Sequence, residues 1–371
     1  MRYPPFKWHG GKNPVAGEIV ALMDGIEHLT YLEPYFGAGS VLLAKDPAKT
    51  SEIANDIYSH LFDFFSVLRD QDRYQELIRL CQLTPFSEQT WSTARDLLQQ
   101  EDNCQIKRAY AFYVSVQQSR QGLQQDFATP TFKRLRGNRN AEVNAYMSAV
   151  DRLPEYHQRL TNVMFFNRDA TAMIESQDCD SRLIYADPPY IRGTRTSKDA
   201  YAHEMNDQDH HNLVDVFLSS KSKIMLSGYP GSETIYRRLE EAGWGVWERN
   251  VAKHSSSRST KPRTFELIWA NCDLNTTSAK KWAQRKSTRS HLSGFGAESS
   301  NPQTKRTVPG PTPIPSPEPL GHDSLSISGT KGGQTAPVPC PLPSSFPVPA
   351  KPPQPWLQLK PLLQRTPVAP K

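Results

Sequence analysis

Leu183-Ile184-Tyr185-Ala186-Asp187-Pro188-Pro189-Tyr190 starts as an apolar run and ends as a rigid turn. The run reads as a short buried strand. The tetrapeptide reads as the loop at its carboxyl end, where open α/β sheets bind their ligands. Each proline fixes φ and removes a backbone donor. The residue before each is pushed into an extended conformation. What remains is a stiff edge of acceptors, the Asp187 carboxylate and nearby carbonyls, beside the aromatic face of Tyr190. Such an edge suits a planar group with an exocyclic amine, such as adenine or cytosine. Taken alone, a Pro-rich turn after a strand explains the same residues.

Outward from this stretch, further apolar runs predict strands ending near Glu33, Ala54, Phe166, Ser227, Val251 and Ala270. Their spacing suits an α/β sheet with helices on both faces. Residues 60–160 interrupt the rhythm with helical patterns and no convincing strand. Leu61, Phe64, Phe65 and Leu68 fall on one helical face, and so do Tyr146, Val150 and Leu153. The predicted organisation is a sheet domain over 1–59 and 161–275, a helical insert over 60–160 and a tail over 276–371. The tail holds 19 of the 31 prolines, too dense for helix or sheet, so it reads as disordered with polyproline II character. Lys280, Lys281, Arg285, Lys286 and Arg289 open it with positive charge: a solvated linker, or a weak salt-sensitive contact to a polyanion.

Glu33-Pro-Tyr-Phe36-Gly37-Ala-Gly39-Ser40 places a Gly-X-Gly turn after the first predicted strand. Such a turn lets backbone approach a ligand closely. No third glycine has the dinucleotide spacing, which argues against a nicotinamide site. Asp56 follows the second strand, where a carboxylate can accept from both hydroxyls of a ribose. The glycine turn and this acid suggest a nucleoside-containing cofactor. Asp169, after the third strand, could accept from the amine of a cofactor adenine or cap a helix. Phe6-Lys-Trp8-His-Gly-Gly-Lys12 combines rings, glycines and lysines. Lys12 could meet a carboxylate or phosphate, and Trp8 could face a cofactor or the core.

The 371 residues carry a net charge of +6, a weak indication of a polyanionic partner. Five scattered cysteines give no metal spacing and no disulfide framework, which fits a reducing cytoplasm. His9, His210 and His211 have no spacing that builds a metal site. The N-terminus, Met1-Arg-Tyr-Pro-Pro5, has no apolar signal core, and no run approaches the length of a membrane span.

Together these motifs resemble the DNA adenine-N6 methyltransferases that include the Dam enzymes. The resemblance rests on Phe6–Lys12, Glu33–Gly39, Asn55-Asp56 and Asp187–Tyr190. Tyr201–Met205 with His210, Leu226-Ser-Gly-Tyr229 and Arg263–Asn271 follow in the family's order, and the likeness spans about residues 4–272. It implies a Rossmann-like methyltransferase sheet with a target-recognition insert, S-adenosylmethionine as methyl donor and adenine in double-stranded DNA as acceptor. By the same resemblance Trp8, Lys12, Phe36, Asp56 and Asp187 lie at the cofactor, with Asp56 on its ribose, while Glu33 and the Gly37–Gly39 turn hold its methionine portion. Asp187 and the Pro188 carbonyl accept from the target amine within the Asp187-Pro188-Pro189-Tyr190 loop, and Tyr190 stacks on a flipped base.

Within the insert and beyond, Arg120, Lys133, Arg134, Arg136, Arg139 and Arg258 are candidate DNA contacts or members of solvated basic loops. Cytosine-N4 methylation, or an inactive DNA-binding module, is the alternative reading. Asp187 argues against the first, because that class usually begins this loop with Ser. The intact Asp187, Tyr190 and Asp56 argue against the second. A monomer is expected, with a cognate restriction enzyme as a candidate partner.

Overall fold

The structure, a computed structural model, describes residues 4–48, 50–100, 104–128, 135–136, 139–194, 202–252 and 263–292. Nine strands are described: β1 (Thr30–Glu33), β2 (Ser51–Asn55), β3 (Leu135–Arg136), β4 (Arg139–Asn140), β5 (Val163–Phe166), β6 (Arg182–Ala186), β7 (Lys223–Gly228), β8 (Gly245–Ala252) and β9 (Arg263–Ala270). Seven form one sheet in the order β5-β2-β1-β6-β7-β9-β8. Each of the seven predicted strand ends falls within one residue of an observed end.

The first five strands of that order run parallel, and β9 pairs antiparallel with both β7 and β8. The central register sets Leu32 of β1 beside Ile53 of β2 and Ile184 of β6. Every residue of β6 is buried, as expected of a parallel strand covered on both faces. Side chains alternate between the faces. Tyr31, Leu183 and Tyr185 face one core, whereas Leu32, Ile184 and Ala186 face the other.

The second core is closed by α9 (Ala170–Ser176), α10 (Asp207–Ser219) and α11 (Glu233–Glu241). The first is closed by α1 (Ala16–Leu22), α2 (Ser40–Ala44) and α3 (Ser59–Arg69). The insert continues through α4 (Arg73–Gln82), α5 (Glu88–Leu98), α6 (Gln105–Gln117), α7 (Ala141–Val150) and α8 (Leu153–Leu160). Its core is not separate from that of the sheet. Phe65 of α3 stacks on Phe165 of β5 at 5.3 Å, and Phe64 stacks on Tyr113 of α6 at 5.4 Å.

Two sequence expectations change here. The insert does contain strands: β3 and β4 pair antiparallel, Leu135 with Asn140 and Arg136 with Arg139. Two residues per strand are too few to leave a period-two pattern, although Gly137-Asn138 between them is a hairpin signal.

The tail also starts later than its composition suggested. Residues Thr276–Leu292 form a helix, α12. Asn275 accepts from the Ser278 N–H at 2.9 Å, and Ala279 is fully buried. Trp282 lies so close to α1 that a Cβ added at Gly17 would sit 2.5 Å from its indole. The Pro-rich composition begins only at Pro302, and an Asn cap needs no apolar run to start a helix. Residues 293–371 lie outside the described residues.

Candidate active site

β1 sits where the strand order reverses, with β2 on one side and β6 on the other. Ligands of open α/β sheets bind at the carboxyl ends of such strands. A cavity of about 640 Å³ opens there. Trp8, Lys12, Glu33, Phe36, Gly37, Gly39, Asp56, Asp169, Asp187 and Pro189 all line it. Pro188 and Tyr190 are not part of the lining, and both are buried.

The glycine turn is built for close approach. Gly37 and Gly39 have φ of 50° and 68°, conformations that a Cβ penalises. A Cβ on Gly37 would meet the Trp8 Nε1 at 2.6 Å, and one on Gly39 would run into the Phe36 ring. Asp56 ties the turn to β2, accepting from the Gly37 N–H at 2.8 Å and the Tyr58 N–H at 3.0 Å. Burial raises the Asp56 carboxyl while these two donors pull it down, and the net shift is upward.

At the end of β1, Glu33 is 3 % exposed and accepts from the Tyr31 hydroxyl at 2.8 Å. Burial pushes its carboxyl up to about 8, against the hydrogen bonds that favour the anion. An acid this far from its usual range, lining a cavity, is a candidate functional group.

Asp169 is the N-cap of α9, accepting from the Ala172 N–H at 3.0 Å and from the Thr171 hydroxyl. Burial would raise it, but these donors outweigh burial and hold it below the usual carboxylate range. Between capping a helix and facing a ligand, the first role is occupied, and the residue still lines the cavity.

At the end of β6, the Lys12 ammonium donates to both Asp187 oxygens, at 2.6 and 2.7 Å. It also lies 3.7 Å from the Glu266 Oε1 and 4.7 Å over the Tyr190 ring. The Tyr190 hydroxyl donates to Glu266 at 2.6 Å, and its ring meets Tyr229 edge-on at 4.4 Å. Burial alone would lower Lys12, but Asp187 and then Glu266 hold it above its ordinary value. Burial pushes both carboxyls up, and Lys12 draws them back in part. The two short contacts have the geometry of a charge-assisted pair.

Glu266 is absent from the sequence-derived site, although the stretch Arg263–Asn271 was singled out. The signal was present: one carboxylate among Phe265, Leu267, Ile268, Trp269 and Ala270. A charge within a buried strand needs a partner.

The DNA-contact candidates are less assembled. Arg120 is exposed on the insert. Arg136 and Arg139 pair across the β3–β4 hairpin, and only their backbone is described. Lys133, Arg134 and Arg258 lie outside the described residues.

A second cavity of about 400 Å³ shares Trp8, His9, Tyr58 and Ala202 with the first. Its far wall is Arg95, Gln99 and Gly122–Gln125 of the insert. In that wall Gln124 holds φ of 58°, and Gln121, just before that stretch in the chain, holds 57°, the kind of backbone outlier that clusters at functional sites. Among the described residues no cluster of three or more His, Cys, Asp or Glu could hold a metal, and no helix is long and apolar enough to cross a membrane.

An open α/β sheet with an antiparallel final pair, a glycine turn and an acidic acceptor in one cavity defines an S-adenosylmethionine-dependent methyltransferase. The sequence matches the D12 class N6 adenine-specific DNA methyltransferases over residues 8–252, and the chain belongs to that family. It is therefore an enzyme that transfers a methyl group from S-adenosylmethionine to the N6 amine of adenine in DNA.

Among solved structures the chain is similar to the precorrin-6y C5,15-methyltransferase of Geobacter metallireducens, at 11% identity over 70% of this chain and 86% of that one, with a TM-score of 0.31. It is also similar to a SAM-dependent methyltransferase of Agrobacterium tumefaciens, at 12% identity over 69% of this chain and 59% of that one, with a TM-score of 0.29. No curated protein sequence matches the chain significantly.

Proposed function

We propose that the cavity holds the cofactor on the β1 side and presents its methyl group to an adenine seated at the β6 side. The observation that carries this is the meeting of the glycine turn and the Asp187 loop in one cavity. The residues present suit the cofactor: Gly37 and Gly39 leave no room for a Cβ against Trp8 and Phe36 of the cavity wall, and Glu33 is a buried acid facing the cavity. In this reading Glu33 pairs with the ammonium of the methionine portion, and Asp56 accepts from the ribose. Trp8 and Phe36 supply apolar walls.

When bound, the cofactor supplies a methyl group on a sulfonium, an activated electrophile with a neutral leaving group. The adenine amine is a poor nucleophile because its lone pair is delocalised into the ring. Asp187 and the Pro188 carbonyl accept its two hydrogens, which favours a pyramidal nitrogen whose lone pair faces the methyl. Alignment and fixed acceptors provide the acceleration. The amine is out of reach inside a duplex, so the base is flipped out. Stacking on Tyr190 would return about 1–3 kcal/mol of the unstacking cost. DNA passes along the insert, with the second cavity and the β3–β4 hairpin facing it. In this reading the enzyme acts as a monomer.

The test is transfer of labelled methyl groups to mixed DNA, followed by long-read mapping of the modified base. Methylation confined to adenine N6, and lost in Asp187→Ala, is the expected result. Transfer that survives this substitution would overturn the assignment of Asp187.

A further inference from the structure

We propose that Glu266 is a positioning residue for methyl transfer: it receives the Lys12 ammonium when the target adenine displaces that ammonium from Asp187 and from the face of Tyr190. The inference rests on the reading that Asp187 accepts from the target amine.

Lys12 stands where the adenine must go. Its ammonium occupies both Asp187 oxygens, at 2.6 and 2.7 Å, and covers the Tyr190 ring at 4.7 Å. These are the acceptor and the stacking face that the flipped base needs. The ammonium is therefore a stand-in for the base, and catalysis requires it to leave.

Where it goes is restricted by charge. Lys12 is 7 % exposed, and moving a buried ammonium to no partner costs several kcal/mol. Glu266 Oε1 is only 3.7 Å away, and Glu266 is itself 5 % exposed. A shift of about one ångström gives Lys12 a full contact there. The Tyr190 hydroxyl donates to the same oxygen at 2.6 Å, so Glu266 already faces the cluster.

Two buried carboxylates around one lysine are wasteful for stability alone, because one of them is always short of a cation. They make sense if the lysine alternates between them. While the site is empty, Lys12 neutralises Asp187. Once the amine is bound, Lys12 neutralises Glu266 and leaves both Asp187 oxygens to the substrate.

The test compares Glu266→Gln, Glu266→Asp, Tyr190→Phe and the double variant E266Q/Y190F in the full-length enzyme. Single-turnover methyl transfer is measured alongside equilibrium binding of cofactor and DNA. We expect E266Q to slow transfer about 10- to 100-fold, the scale of a misplaced catalytic geometry. Cofactor and DNA binding should stay within about threefold, and E266D should recover part of the rate. In the Y190F background, E266Q should still impose most of its penalty, because the lysine route does not pass through the hydroxyl.

Wild-type rates in E266Q, or a penalty that vanishes in the Y190F background, would overturn the proposal. So would a loss of transfer matched by equal losses of both bindings. An active Asp187→Ala variant would instead overturn the underlying assignment of Asp187. An inactive Asp187→Ala beside an unimpaired E266Q would overturn the lysine transfer alone.

Discussion

Glu33 shows at the residue scale how function is stored as a local cost. Its carboxyl is pushed up to about 8 by burial. Between its ordinary value and that one, the folded protein holds a proton that the unfolded chain has shed. The contribution of Glu33 to stability is thus present at low pH and is lost as pH rises through that window. Glu33→Gln removes the titration. The cofactor-free variant should melt at or above the wild-type temperature at pH 8.5, and the margin should shrink towards acid. Its cofactor affinity should fall about 100-fold, as expected when one partner of a buried charge pair is removed. Calorimetric melting and cofactor titration across pH check both, and parallel pH profiles for the two proteins would refute the assignment.

Asp187 carries the complementary prediction. Removing its carboxylate leaves Lys12 with Glu266 at 3.7 Å, so the fold should tolerate Asp187→Ala. Methyl transfer should drop by about 10²–10³-fold or more, the range seen when a fixed transition-state contact is deleted. DNA affinity, carried mostly by phosphate contacts, should change little. Filter binding set against transfer rate separates the two effects.

At the element scale the turn between β1 and α2 is the most demanding segment. Gly37 needs a positive φ and also has Trp8 against the position of its Cβ. Gly25 provides the control, with φ of +88° and no atom within 4 Å. Each Gly→Ala change should cost about 1–2 kcal/mol through the left-handed backbone. Only Gly37→Ala should also lower cofactor affinity, by about tenfold or more, since it displaces Trp8 from the cavity wall. Equal affinities in the two variants would mean that Trp8 and the turn are not part of the cofactor site.

What was legible follows the same scale. Several strands could be read because their apolar runs stop at a Gly, Pro or acidic signal, as at Glu33-Pro34 and Asp187-Pro188. The cavity residues could be read because motifs at strand ends share one edge of the sheet. The Lys12–Asp187 contact joins residues 175 apart, and Tyr190–Glu266 joins residues 76 apart. Sequence spacing cannot show that Glu266 on an antiparallel strand points into the same cluster. Nor could the β3–β4 hairpin, at two residues per strand, stand out from the helical pattern around it.

For the whole molecule, composition placed a boundary at residue 275, but α12 runs on to Leu292 and its first turns pack on the sheet domain as far as Trp282. Asn275 donates its N–H to the Leu22 carbonyl at 3.0 Å, Ala279 is fully buried, and Trp282 covers Gly17 of α1. The family match ends at residue 252, and the cavity lining ends at Asn212. Removing 293–371 should therefore leave methyl transfer within about twofold and the melting temperature unchanged. Ending the chain at 275 exposes α1 and discards the burial of one aromatic and one small side chain, about 2–3 kcal/mol. That should lower the melting temperature by roughly 5–10 °C. Transfer at low temperature should persist, because no cavity residue is lost. Scanning calorimetry and initial rates on chains 1–292 and 1–275 decide the matter. Equal melting of the two would show that α12 adds nothing to the sheet domain. A large loss of transfer in the longer chain would mean that the tail acts in catalysis, through DNA contacts or product release.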